Sequence, residues 1–252
     1  THCLSRLPFP PRSFALTFDD GFENNASVAA PILADLHLPA TFYLVTGWMG
    51  TTERVWIDRI EACLEDAPPG TVALPWESNA RAFTSAAERI AILGAIRDRV
   101  KRDRTIDREA LVAEVYAQTG VDEATTWSDA LDRKLSWEQV RSLVASPLLT
   151  IGGHTQTHAM LSFCASDERE VEIETSIRLL RERAGVVVQH YAYPEGLAHH
   201  FDDNVIARLK QHGITCCPTA IDGVNTPATD PFLLRRIPVM WSAGHLFAGT
   251  GM

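Results

Sequence analysis

The sequence predicts an α/β fold built on a parallel sheet, and three observations carry that expectation. Short apolar runs rich in strand formers alternate with segments of helical apolar spacing, the pattern of repeated strand-helix units. The chemistry-bearing segments fall where such strands end, which is where α/β folds place their active-site loops. The 252 residues, 46% of them hydrophobic, furnish one sizeable core, and a single α/β barrel of that length is ordinary.

Along the chain, Ser13 to Phe18 (SFALTF) is a strand stopped by Asp19, Asp20 and Gly21, which leaves an acidic pair at its C-terminal end. Ala26 to Leu36 has helical spacing, and after the Pro39 break Ala40 to Val45 (ATFYLV) reads as a second, buried strand. From Thr51 to Arg133 the pattern is mainly helical, with helices near Trp56 to Leu64, Ser85 to Lys101 and Arg108 to Thr119, and a turn at Pro68, Pro69 and Gly70. We read residues 51–133 as a helical insertion, in which the mixed charges of Arg97 to Arg104 form a solvated face. A helix from Ser136 to Ala145, whose Ser136 with Glu138 and Gln139 close behind resembles an N-terminal cap, leads to a strand at Leu149 to Gly152. Helices at Asp167 to Ala184 and Asp203 to His212 then alternate with strands at Val187 to Tyr193 and Ile214 to Cys217.

The net charge of -9 argues against nucleic acid, whose binding depends on clustered Lys and Arg. No run is apolar for long enough to cross a bilayer, and the first eleven residues do not read as a signal peptide. Five cysteines, Cys3, Cys63, Cys164, Cys216 and Cys217, lack CxxC pairing, so neither a disulfide framework nor a thiolate zinc site is indicated. A reducing compartment, the cytoplasm for the chain as it stands, is the expectation; the missing initiator Met and the abrupt entry into a strand suggest that a targeting segment once preceded it.

Three segments carry chemistry. In IGGHTQTHAMLS, His154 and His158 stand four apart, so a helical backbone would project both imidazoles from one face toward a shared metal. Such a pair also arises on solvent-facing helices, and its place directly after a strand and two glycines favours the functional reading. Asp19 and Asp20 alone would read as a helix cap or Asx turn. With the histidines they supply one carboxylate for a two-His, one-Asp set and a neighbour free to act as base. YAYPEG, Tyr191 to Gly196, again ends a strand, where Pro and Gly flank a backbone amide able to face an oxyanion; an ordinary turn is the equal alternative.

These segments, in this order, make the chain resemble the polysaccharide deacetylases of the NodB homology type, carbohydrate esterase family four. The resemblance extends through PILADLHLPATFYL and LSWEQVRSLVASPLLTIGGHTQTHAMLS and covers most of the chain outside the insertion. It implies one catalytic domain over residues 1–252, folded as a distorted (β/α) barrel. It further implies Asp19 as catalytic base, Asp20, His154 and His158 as metal ligands, and Thr155 as a residue steadying the loop. The ion implied is a divalent transition metal, with zinc the first choice for two imidazoles and a carboxylate and cobalt, nickel or manganese also suited.

The chain departs from the family at two places. Where the family commonly has R-P-P-Y-G, this sequence has Ala192, Tyr193, Pro194, Glu195 and Gly196, so the arginine that orients the base is absent. Of Arg235 and Arg236, which face opposite ways on a strand, we favour Arg236 as its substitute, with a surface salt bridge as the alternative. The late L-x-H motif has no clean match: His245, His199 and His200 read more readily as exposed residues, and the general acid stays unassigned. The expected reaction is hydrolysis of an N-acetyl group on an N-acetylated polysaccharide or oligosaccharide, with the oxyanion received by the backbone amide of Glu195 and sugar rings stacked on Tyr193 and Trp241, Trp48 being a further surface. The alternatives are an amidohydrolase for a small amide or lipid-linked sugar, and a carbohydrate-binding homologue without turnover.

Overall fold

The computed structural model describes residues 7–126 and 130–239. In chain order the elements are β1 (Leu16–Phe18), α1 (Ala30–Asp35, entered through a π-helical turn at Asn25–Ala29), β2 (Ala40–Leu44), α2 (Trp56–Asp66), β3 (Thr71–Val72), β4 (Arg81–Ala82), α3 (Ala86–Val100), α4 (Arg108–Thr119), α5 (Trp137–Val144), β5 (Leu149–Gly153), α6 (Ser166–Ala184), α7 (Asp203–Gln211), β6 (Pro218–Asp222) and β7 (Leu234–Arg236). They divide into two compact units, one of Thr1–Asp20, His37–Gly47 and Leu143–Met252, the other of Gly21–Leu36 and Trp48–Ser142.

The first unit holds the parallel sheet. β2 lies between β1 and β5, parallel to both, and the burial of Ala40, Phe42, Tyr43 and Leu44 is what a central parallel strand requires. Phe18 stacks on Phe42 with ring centroids 4.9 Å apart. Past β5 the array continues through two single parallel bridges, Gly153 with Tyr191 and His190 with Cys216, and then through the parallel pair β6 and β7. Among the described residues no backbone ladder joins β7 to β1. The link is a side chain: Arg236 Nη1 donates to Thr17 Oγ1 across 3.3 Å. This is a barrel of the distorted kind.

Two strands expected from sequence, Val187 to Tyr193 and Ile214 to Cys217, are reduced to those bridges. Tyr191 N donates to Cys216 O (3.1 Å) and Tyr193 N to Pro218 O (3.5 Å), but the ladder stops there. Pro194 and Pro218 have no N–H to return, so the pairing cannot extend. The next full strand, β6, starts at Pro218 instead.

The second unit is helical. Ile60, Cys63 and Leu64 of α2, Ile92, Ile96 and Val100 of α3 and Leu111, Val112 and Val115 of α4 form one buried apolar cluster with Val72, Leu74 and Phe83. Its helix ends are satisfied locally. Ser85 and Glu88 close a capping box on α3, Asp107 accepts from Glu109 N and Ala110 N on α4, and Gly120 terminates α4 at φ 72°, a left-handed conformation that favours glycine. Ser136 and Gln139 form a reciprocal cap on α5. Arg59 bridges Glu109 and Glu123. In this unit Lys134 Nζ stands 3.9 Å from the Phe22 ring centroid and 5.1 Å from that of Trp48, so a cation already covers the Trp48 face. The described cysteines are free thiols, and no described helix is long and apolar enough to cross a membrane.

Candidate metal centre and its surroundings

All the residues of the candidate site that are described lie in the first unit, at the C-terminal ends of its strands. β1 delivers Asp19 and Asp20, and the turn that ends it is pinned by Val45 N donating to Asp20 O (3.2 Å). β5 delivers His154, whose N–H donates to Leu44 O at the end of β2 (3.0 Å). Gly153 has a steric reason: a Cβ there would stand 2.4 Å from the Tyr191 ring, and one at Gly152 2.6 Å from the Tyr43 ring. Only glycine lets both aromatic rings pack against the strand that carries the histidine.

The segment from His154 to His158 is not helical, contrary to the geometry expected from the four-residue spacing. It is a loop in which Thr155 (φ 66°) and His158 (φ 60°) both take left-handed backbone conformations, and its amides bond to side chains rather than to a helical ladder. The imidazoles nevertheless converge, with ring centroids 4.9 Å apart and planes 66° apart. Asp20 (φ 76°) and Glu195 (φ 60°) are also left-handed. Non-glycine residues held in this region cost of order 1–3 kcal/mol each and collect at functional sites.

Asp20 Oδ1 lies 3.5 Å from His154 Nε2 and 3.3 Å from His158 Nε2, and one ligand atom from each residue falls within 4.8 Å of the others. A tetrahedral ion with ligands at about 2.0–2.2 Å holds its donors about 3.3–3.6 Å apart, so the two Asp20–His separations fit a divalent transition ion. The tautomer fits as well. His154 Nδ1 is 2.8 Å from Ala192 O; a carbonyl only accepts, so Nδ1 carries the proton and Nε2 presents its lone pair toward Asp20. Burial pushes the His154 pKa down, but Asp20 and Asp19 outweigh it and raise the group above its ordinary value. The same negative field favours a cation.

Asp19 stands beside this set, its Oδ2 3.9 Å from His154 Nε2. Arg236 Nη1 donates to Asp19 Oδ1 (2.8 Å), and Arg236 Nε to Thr219 O (2.6 Å). Arg235 turns the other way, donating to Asp222 O. Ala192, where the family commonly has arginine, is fully buried and contributes its carbonyl to His154. Thr155 Oγ1 accepts from Ala159 N (3.1 Å), inside the loop it was expected to steady.

Glu195 is half-buried in a turn closed by Gly196 N donating to Pro194 O. Tyr193 corrects an expectation: it is 1% exposed, its ring stacks on Phe201 at 4.3 Å, and its hydroxyl donates to Phe232 O (3.1 Å). A ring this buried offers a sugar no stacking surface, and burial raises its pKa well above the ordinary phenol value. Trp241 and His245 lie outside the described residues. His200 is buried rather than exposed, with Nδ1 accepting from Leu197 N (3.1 Å).

A parallel β/α barrel that gathers two imidazoles and a carboxylate at its strand ends, with a second carboxylate alongside, has the architecture of a hydrolase that activates water. The family follows from comparison with known proteins: the chain matches the polysaccharide deacetylase family over residues 6–90 and 101–217, and it belongs to that family. Among solved structures it is similar in fold to the deacetylase domain of BpsB from Bordetella bronchiseptica (TM-score 0.55, 18% identity, covering 92% of this chain and 74% of that one). It is also similar to the Streptococcus pyogenes deacetylase PplD in complex with acetate (TM-score 0.55, 16% identity, 93% and 67%). A third likeness is to IcaB from Ammonifex degensii (TM-score 0.54, 18% identity, 94% and 72%). A comparison with proteins of curated function gives no match.

Proposed function

We propose that this protein is a metal-dependent deacetylase that hydrolyses the acetamide of N-acetylated amino sugars in a polysaccharide or oligosaccharide. The observation that carries the proposal is the convergence of Asp20, His154 and His158 at ligand spacing, beside an Asp19 carboxylate held by Arg236. These three residues would hold a divalent transition ion, with zinc suiting the two imidazoles and one carboxylate best. When bound, such an ion supplies a Lewis acid that polarises the acetamide carbonyl and makes water easier to deprotonate.

The remaining steps belong to the chain. Asp19 takes the proton of the attacking water through the carboxylate oxygen that Arg236 leaves open, Oδ2. Arg236 fixes the rotamer of Asp19 by donating to its Oδ1, the part that an arginine at position 192 plays in family members with R-P-P-Y-G. The guanidinium is itself anchored by Thr219 O and Thr17 Oγ1, so it cannot swing away from the base. The backbone amide of Glu195, in its left-handed turn, serves the oxyanion that forms as water adds to the acetamide carbon.

The test joins metal content to turnover. Protein loaded with Zn2+ or Co2+ is expected to bind one ion and release acetate from acetylated chitooligosaccharides, and Asp20→Ala is expected to abolish both. Protein that holds no transition ion after loading, or that turns over small N-formyl compounds while leaving the oligosaccharides intact, would sink the proposal.

A further inference from the structure

The loop between the two histidines has a strained backbone and no ladder, so its polar groups must be satisfied from outside. Its carbonyls are met by the end of β2: Thr46 N donates to Thr155 O (3.1 Å) and Gly47 N to Gln156 O (2.8 Å). Gly47 is confined to glycine by this approach, since a Cβ would stand 2.4 Å from Gln156 O. Its amides are met by α6. Glu172 Oε2 accepts from Gln156 N (2.8 Å) and Thr157 N (2.9 Å), and Oε1 accepts from Thr157 Oγ1 (2.6 Å). One turn further along the same face, the buried Ser176 hydroxyl lies 2.8 Å from Tyr191 Oη, which accepts from Thr155 N (2.8 Å). Residues four apart on a helix share a face.

We infer that Glu172 is a positioning residue for the metal centre, clamping the loop so that His154 and His158 are held at ligand spacing. Its carboxylate collects three donors from the two residues midway between the ligands, and hydrogen bonds to an ionised acceptor are roughly twice as strong as neutral ones. Without it, two adjacent amides turn to water and the loop is free to relax from the left-handed conformations at 155 and 158. Glu172 touches neither imidazole among the hydrogen bonds described, so it acts through the backbone. Groups of this kind that orient metal ligands typically contribute about 10–100-fold in affinity or activity.

The inference rests on the metal reading above, and its test separates the two. Zn2+ affinity is measured by competition with a chromophoric chelator for the wild type, Glu172→Ala and Glu172→Gln, together with amide hydrogen exchange at Gln156 and Thr157 in the metal-free protein. Glu172→Ala is expected to lose about 10–100-fold in affinity and the exchange protection of both amides, while remaining folded by circular dichroism and keeping its KM as kcat falls. Glu172→Gln, whose amide oxygen still accepts from the two N–H groups and whose NH2 can meet Thr157 Oγ1, is expected to recover most of both losses. Wild-type affinity in Glu172→Ala, or a Glu172→Gln variant as impaired as the alanine, would overturn the clamp and leave the metal site standing. Failure of the wild type to bind Zn2+, with the amide protection still dependent on Glu172, would overturn the metal reading instead.

Discussion

The two units of this chain are held by different physics. In the helical unit Ile60, Leu64, Ile92, Ile96, Val112 and Val115 are buried apolar side chains in one cluster, and side-chain caps open α3 and α4. Among this unit's described residues the positive-φ positions are all glycines, Gly21, Gly50 and Gly120. In the site-bearing unit the residues that matter stand on loops with left-handed backbones at Asp20, Thr155, His158 and Glu195; Arg236, donating to Asp19, and Glu172, accepting from Gln156 N and Thr157 N, bring charge to the hydrogen bonds there. The lesson is a division between burial, which gives stability without directing chemistry, and polar networks, which accept strain to fix where a lone pair points.

The largest expected effect is on the polar side. Asp19→Asn keeps size and shape and removes the base, and it is expected to lower kcat by about 10²–10⁴-fold with Zn2+ binding and thermal unfolding unchanged. Coupled assays for acetate alongside metal titration read this directly; a variant retaining more than a tenth of wild-type kcat would show that Asp19 is not the base. On the apolar side, Ile96→Ala empties a fully buried position of α3. A loss of about 2–5 kcal/mol in unfolding free energy is expected, read by urea titration with hydrogen exchange followed on the α2, α3 and α4 amides. A loss below ~1 kcal/mol would mean that the cluster is not what holds this unit.

Much of this was legible in the sequence because periodicity and motif position carry it. α4 at Arg108–Thr119 runs over the expected residues, and β2 and β5 fall within a residue of theirs, since long amphipathic helices and apolar central strands signal themselves. The helical reading of His154 to His158 failed because spacing says which residues can converge and not by which backbone. Here it is the amide acceptors at Glu172 and Tyr191 that select a loop. Both partners are distant along the chain, and although Tyr191 opens the YAYPEG segment, nothing in that motif marks its hydroxyl as an acceptor for this loop. Glu172 leaves one trace, the polar Ser176 a turn further along the same helix face, which meets the Tyr191 hydroxyl. Tyr193 misled for the opposite reason: aromatic type near a motif suggests a sugar platform, while the ring partner that uses it up, Phe201, is visible only in three dimensions.

The smallest expected effect is a charge within the helical unit, where the division should break down. Asp58, in the first turn of α2, has a pKa raised from 3.8 to about 6, first by burial and then by Asp132, against which Lys134 acts. Among the described residues its Oδ2 is buried with no hydrogen-bond partner. Because the folded protein binds this proton more tightly than the unfolded chain, the group's contribution to stability is fully present below pH ~4. It is lost as the pH rises through about 6. A shift of this size is worth at most about 3 kcal/mol. Asp58→Asn, a neutral near-isostere, is therefore expected to match the wild type at pH 4 and to exceed it by about 1–3 kcal/mol at pH 8, in urea unfolding across that range. Parallel stability profiles for the two proteins would show that the carboxyl ionises without cost, and that the helical unit tolerates charge as readily as the site does.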